Sequence, residues 1–286
     1  MLVDTHCHLD AEVFQDNLDA LIEENLHHGV SWMLTQGTTI PSSRITVKIA
    51  EKYPSVYAAV GIHPNCILED LEGYADEEYS DGKCAEGKYS EENCQKLLRY
   101  IQEIAASSEK VVALGETGLD DYWKNVPMNI QVKFFQEHLW LSRQLNLPVI
   151  IHCRESEAEL LRVMEEEVGG NGPVRSVIHS FSGNSEFLER CLSLGCYISY
   201  SGSLTYKNRK YDALRETVQM VPEERLLLET DAPYLIPTQV RKTAKINQPF
   251  LARYTAEIIA ELRCQPVEDI LRVTKQNAEC LFRIKK

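Results

Sequence analysis

The fold class that the sequence predicts is α/β, a closed (β/α)8 TIM barrel, and three observations predict it. Eight short apolar runs each end in glycine or a polar residue. Helical periodicity fills several of the gaps between them, and strands alternating with helices imply a parallel sheet. The first run is followed by "HCHLDAE" rather than by the Gly-rich phosphate turn of a doubly wound open sheet. The length, 286 residues, suits one barrel, and residues 1–286 are read as a single domain.

The first run opens at Leu2 and Val3 and continues as "VDTHCHLD". Side chains alternate faces along a strand, so Asp4, His6 and His8 point the same way. Three polar groups on one face need partners, water or a metal ion. Residues 12–28 then read as one amphipathic helix. Phe14, Leu18, Leu21, Ile22 and Leu26 recur at helical spacing, Gly29 serves as its C-cap, and His27 and His28 in the last turn suit the helix dipole.

The remaining runs follow in order. They are "WMLTQGT", "VYAAVGIHP" with His63, "VVALGETGLD" with Glu116, "PVIIHCRES" with His152 and Arg154, "SVIHSFSG" with His179, "CYISYSGS", and "RLLLETDAPY" with Glu229 and Asp231. One segment breaks the rhythm. Residues 68–95 are acidic and poor in large aliphatics, and are read as a solvated insertion after the third strand, or else as an acidic lid over the barrel mouth. The stretch around 250–263 and the late "VTKQNAECLF" read as closing helices of the outer ring.

Composition narrows the function classes. The formal net charge is −13, which argues against a protein that coats nucleic acid non-specifically but leaves room for an enzyme holding a few phosphates. No stretch approaches the roughly 20 apolar residues of a membrane span. Polar residues begin at Asp4, leaving no room for a signal peptide. The nine cysteines are odd in number and form no Cys-x-x-Cys pair, so they read as reduced thiols in a cytoplasmic or nuclear protein. Cys7 and Cys153 neighbour histidines of interest, yet on a strand they face the other way and pack into the core.

A barrel gathers its functional residues at the C-terminal ends of its strands. His6 and His8 end the first strand, Glu116 the fourth, His152 the fifth, His179 the sixth and Asp231 the eighth. Four imidazoles and two carboxylates on one rim match a binuclear site for Zn²⁺, Mn²⁺, Fe²⁺ or a similar ion. Mg²⁺, which prefers oxygen, is possible but less natural.

The ordered set "DTHCHLD", "GIHP", "GETGLD", "IIHCRES", "IHSFSG" and "LLLETDAPYL" resembles the TatD-type metal-dependent deoxyribonucleases of the amidohydrolase-like barrel superfamily. The late "NQP" at 247–249 and "NAECLF" extend the resemblance over essentially the whole chain. It implies that His6, His8 and Asp231 hold one metal ion, that Glu116 bridges to a second, and that His152 and His179 complete the second site. It places His63 near the substrate phosphate or leaving group. Two departures stand out. Ser180 occupies a position where the family usually has Cys, which is expected to be harmless, and the 68–95 segment is longer than usual.

The implied activity is hydrolysis of DNA by a hydroxide held between two divalent ions, 3′–5′ exonuclease action being expected and abasic-site cleavage a further possibility. Asp231, a ligand with a second oxygen, is the candidate proton acceptor. Asp4 and Glu229 each precede a ligand by two residues. They either hydrogen-bond ligand imidazoles or make structural hydrogen bonds inside the barrel. Arg154 either clamps a phosphate or pairs with a carboxylate. Lys207, Arg209 and Lys210, with Arg241, Lys242 and Lys245, form two basic loops that either meet a nucleic-acid backbone or are ordinary solvated cations. DNA is the expected partner, and neither a membrane nor an obligate protein partner is evident. Two rival readings share the barrel: a hydrolase of a small ester, amide or phosphoester, and a metal-binding scaffold without catalysis.

Overall fold

In the computed structural model, which describes residues 1–74 and 91–284, each of the eight apolar runs forms a strand. They are β1 (Leu2–Cys7), β2 (Val30–Gln36), β3 (Val56–Val60), β4 (Val111–Asp120), β5 (Val149–Arg154), β6 (Ser176–Ile178), β7 (Tyr197–Tyr200) and β8 (Leu226–Leu228). All neighbours pair in parallel and in sequence order, β1 to β8. The ring closes through a bridge between Cys7 and Ala232, where Asp231 N–H donates to His6 O at 2.9 Å and His8 N–H to Ala232 O at 2.7 Å. This is the (β/α)8 barrel that the sequence predicts.

Around the strands run α1 (Glu12–Gln15), α2 (Leu18–His27), α3 (Ile40–Lys52), α4 (Ile67–Tyr74), α5 (Glu91–Ala106), α6 (Met128–Leu145), α7 (Glu157–Asn171), α8 (Ser185–Ser193), α9 (Asp212–Thr217), α10 (Ala252–Arg263) and α11 (Val267–Phe282). Their ends follow local chemistry. Thr39 and Ser42 form a capping box at the start of α3, with Pro41 in its first turn. Asn146, at φ 55°, ends α6 in the left-handed conformation. Among the described residues no helix is long and apolar enough to cross a membrane.

Strand parity explains why the mouth is polar. Ile150, Val177 and Leu227 pack with Trp32 and Leu34 in one buried cluster inside the barrel. The next residues of the same parity are His152, His179 and Glu229. Each of these strands thus changes from apolar to polar within two residues, going up the barrel. Ala278, Leu281 and Phe282 of α11 join the same cluster, and Arg175, just before β6, donates to Leu281 O at 2.9 Å. α11 therefore covers the end of the barrel where the strands begin and leaves the other end for chemistry. Each buried large aliphatic or aromatic side chain contributes about 1.5–3 kcal/mol.

Two expectations change. The helix expected over 12–28 is two helices, interrupted at Asp16 and Asn17, because Asn17 leaves the helical region at φ −132° and ψ 24°. The 68–95 segment is helical at both ends. Residues 68–74 belong to α4, which buries Ile67, Asp70 and Leu71, and residues 91–95 begin α5, which buries Leu97, Leu98, Ile101 and Ile104 along one face. A lid formed by residues 75–90 lies outside the described residues.

Candidate metal centre

Glu116 is the centre of the barrel mouth. It sits within β4 rather than at its end, since the strand runs on to Asp120, and it is only 3% exposed. Its two carboxylate oxygens face different pairs of imidazoles. Oε2 lies 3.3 Å from His6 Nε2 and 3.7 Å from His8 Nε2. Oε1 lies 2.9 Å from His152 Nδ1 and 2.8 Å from His179 Nε2. Within each pair the facing ring nitrogens are 3.3 Å apart. Asp231 Oδ1 completes the first side, 3.3 Å from His8 Nε2 and 3.7 Å from His6 Nε2. Its backbone adopts φ +59°, an uncommon left-handed conformation held by the closure contacts of β1.

Electrostatics matches this geometry. Burial opposes ionisation of Glu116, yet the neighbouring His179 charge and the His152 hydrogen bond hold its carboxyl well below the usual range. Burial would lower His8, but the Asp231 carboxylate raises it to about 9. Burial and the His179 charge lower His6. Three overlapping groups of ligand atoms lie within 4.8 Å of one another: His6, His8 and Glu116; His6, His179 and Asp231; His63, Glu116 and His152. Nitrogen-rich groups with carboxylate oxygens suit borderline divalent ions such as Zn²⁺ or Mn²⁺. The donor set therefore fits a metal centre.

His63 caps the turn after β3. Its Nδ1 accepts the Asn65 N–H at 3.1 Å, and Nε2 points to Glu116 Oε1 at 3.5 Å. Burial and the adjacent His152 charge push its pKa to about 3, so it is neutral with its proton on Nε2.

The supporting residues divide. Glu229 Oε1 lies 3.3 Å from His179 Nδ1 and accepts the Ser180 N–H at 2.7 Å, so it does hold an imidazole. Asp4 does not. Its carboxyl accepts the backbone N–H groups of His6 at 3.1 Å and Thr230 at 2.9 Å, which ties β1 to the segment after β8. Ser180 exchanges a hydrogen bond with Ser201 Oγ at 2.8 Å. Arg154 lines the mouth, with its guanidinium stacked on Tyr122 at 3.7 Å. Lys207 and Arg209 are exposed and lie outside the lining of the mouth cavity. Their loop does meet the other basic loop, through Thr205 and Thr238 and through Arg241 over Tyr206.

Asp120 is the residue that sequence reading passed over. Its Oδ2 lies 3.0 Å from His152 Nε2 and accepts from Asn65 Nδ2 at 3.0 Å, while Oδ1 accepts the N–H groups of Tyr122 and Trp123 at 3.0 and 3.1 Å. The signal was present, because Asp120 follows Glu116 at an even spacing in "GETGLD". Burial is outweighed by the His152 hydrogen bond, and its pKa falls to about 2. His8, His63, Glu116, Asp120, His152, His179 and Asp231 open into one cavity of about 640 Å³.

Comparison with known proteins gives this site a family. A family model described as "TatD related DNase" matches residues 3–283. A Bacillus subtilis protein described as the uncharacterised metal-dependent hydrolase YabD is 35% identical over 99% of this chain and all of its own. The 3′-5′ ssDNA/RNA exonuclease TatD of Pantoea vagans is 31% identical over 99% of this chain and all of its own. Among solved structures, the Escherichia coli TatD homologue YjjV superimposes with a TM-score of 0.80 at 29% identity, covering 99% of this chain and 98% of that one. With its imidazoles and carboxylates gathered at the barrel mouth, the chain belongs to the TatD-related DNase family and is a metal-dependent hydrolase.

Proposed function

We propose that the protein is a deoxyribonuclease that hydrolyses phosphodiester bonds with two divalent metal ions, acting as an exonuclease from the 3′ end. The observation that carries this reading is the division of labour at Glu116, whose Oε2 faces His6 and His8 while Oε1 faces His152 and His179. His6, His8 and Asp231 would hold one ion, His152 and His179 the other, and Glu116 both. Such a pair supplies a nucleophilic water at neutral pH and neutralises charge on the phosphate.

The chain's own residues do the rest. Glu116 fixes the distance between the two halves of the site. Asp231 keeps one oxygen free to orient the attacking water and accept its proton. Its carboxyl stays ionised because the His8 hydrogen bond and neighbouring imidazole charge outweigh its burial. His63, neutral with its proton on Nε2, donates to a phosphate oxygen or to the departing sugar oxygen. Asp120 and Glu229 hold the outer nitrogens of His152 and His179 and so aim the inner ones. The TatD exonuclease of Pantoea vagans supports the choice of nucleic acid and of polarity.

The test incubates the protein, with Mg²⁺, Mn²⁺ or Zn²⁺ in turn, with end-labelled single-stranded, duplex and abasic-site DNA. A ladder receding from the 3′ end, absent with chelator, is the expected result. A single cut at the abasic site makes it an endonuclease on the same centre. No cleavage by metal-loaded protein transfers the site to a small ester, amide or phosphoester.

A further inference from the structure

Three aromatic rings are exposed around the cavity mouth. Tyr122 is 46% exposed, Trp123 56% and Tyr234 60%. Tyr122 and Trp123 follow β4, edge to face, with centroids 5.0 Å apart. Arg154, from the end of β5, lays its guanidinium on Tyr122 at 3.7 Å and comes within 5.6 Å of Trp123. Tyr234 follows β8, with its ring edge-on to His8 at 6.0 Å. Trp123, Arg154 and Tyr234 line the same cavity as Glu116 and His152.

The rings are held in register with the centre. Asp120 accepts the backbone N–H groups of Tyr122 and Trp123 with one oxygen and binds His152 with the other. Tyr234 N–H donates to Asp231 O at 2.8 Å. The backbone that carries each ring is thus hydrogen-bonded to Asp120, which holds His152, or to Asp231 itself.

We propose that these residues are a nucleobase platform, on which bases of an unpaired strand stack against Trp123 and the Tyr122–Arg154 layer on one side and Tyr234 on the other. This rests on the phosphodiesterase reading above and assigns its substrate recognition to particular side chains. Aromatic and guanidinium faces stack on any base, but only when the base is not already stacked in a duplex. The platform therefore favours single strands and frayed ends and tolerates any sequence. Arg154 also brings positive charge to the mouth of a protein whose net charge is −13, where the phosphate has to approach.

The experiment compares two single-stranded oligonucleotides, one with bases throughout and one whose terminal residues are tetrahydrofuran analogues lacking bases. The readout is the ratio of their kcat/KM values. In Trp123→Ala and in Tyr234→Ala the ratio is expected to fall by about five- to a hundredfold, mostly through KM for the base-bearing strand. Trp123→Phe restores much of it. Trp140→Ala, which removes an exposed ring from the groove between α5 and α6, leaves it unchanged. Wild-type protein that cuts DNA, with the same ratio in both mouth variants, overturns the platform and leaves the nuclease reading standing. Wild-type protein that cuts neither strand overturns both.

Discussion

Asp120 Oδ2 lies 3.0 Å from His152 Nε2, and this contact turns His152 Nδ1 towards Glu116 Oε1 at 2.9 Å. The carboxylate fixes both the tautomer and the orientation of the ring, because the proton on Nε2 leaves Nδ1 with its lone pair directed into the centre. Asp120 is itself fixed by its neighbours: Asn65 Nδ2 and the Tyr122 and Trp123 N–H groups donate to its carboxylate, its own N–H donates to Gln131 Oε1, and Gln131 Nε2 donates to its carbonyl oxygen. Replacing it with asparagine keeps the shape and removes the charge. Asp120→Asn is expected to weaken divalent-metal affinity about ten- to a hundredfold with the fold intact. Competition with a chromophoric chelator, alongside circular dichroism, measures both. An unchanged affinity would show that His152 is oriented by something else.

Gly118 lies between Glu116 and Asp120 and is paired with His152 in the β4–β5 ladder. Its φ is +141°, and a Cβ there would stand 2.1 Å from His152 O. The obstacle is backbone, so it cannot swing aside. Gly118→Ala is expected to cost at least about 3 kcal/mol and to displace His152. Urea unfolding in chelator reads the first effect, and metal affinity reads the second. A variant of wild-type stability would mean that β5 is not held where the contacts place it.

His138 supports the site from the α6 side without belonging to it. Its Nε2 accepts the Ile62 N–H at 3.3 Å and its Nδ1 donates to Phe134 O at 2.7 Å, so the neutral ring is required. Burial pushes its pKa from 6.5 to about 4. A histidine depressed on folding contributes stability that is complete above its unfolded pKa and is lost as pH falls through the folded one. Acidification from pH 6.5 towards 4 should therefore remove up to about 3 kcal/mol through this residue. Measured in chelator, the difference between wild type and His138→Gln should shrink over that window. A difference that stays constant with pH would place the acid sensitivity elsewhere.

The barrel was legible because parity and alternation are local signals. Ile150 and His152, Val177 and His179, and Leu227 and Glu229 share faces by spacing alone, so the sequence already showed which polar residues would meet. Distance between elements was not legible. Asp4 has the spacing expected of a residue that holds an imidazole, yet it holds the Thr230 backbone, which lies 226 residues away. Asp120 had the right spacing and was eclipsed by Glu116 in the same stretch. Tyr122, Trp123 and Tyr234 are aromatics in loops, where no periodicity marks them, and only their positions around the cavity give them meaning. The helical ends of the 68–95 segment were not legible because its acidic composition outweighed the few residues that it buries, Leu71 and Cys94 among them.

Under the proposed function Glu116 serves two metal ions at once, and they can be counted and located directly. Protein loaded with Mn²⁺ or Zn²⁺ would be crystallised and anomalous scattering recorded above the metal edge, with Glu116→Ala in parallel. Wild type is expected to show two peaks, one beside His6 and His8 and one beside His152 and His179, with Glu116 between them. A folded Glu116→Ala protein is expected to lose metal and DNA cleavage. A single peak in fully loaded wild type, or a Glu116→Ala protein that keeps both ions and cuts DNA at the wild-type rate, would contradict this role of Glu116.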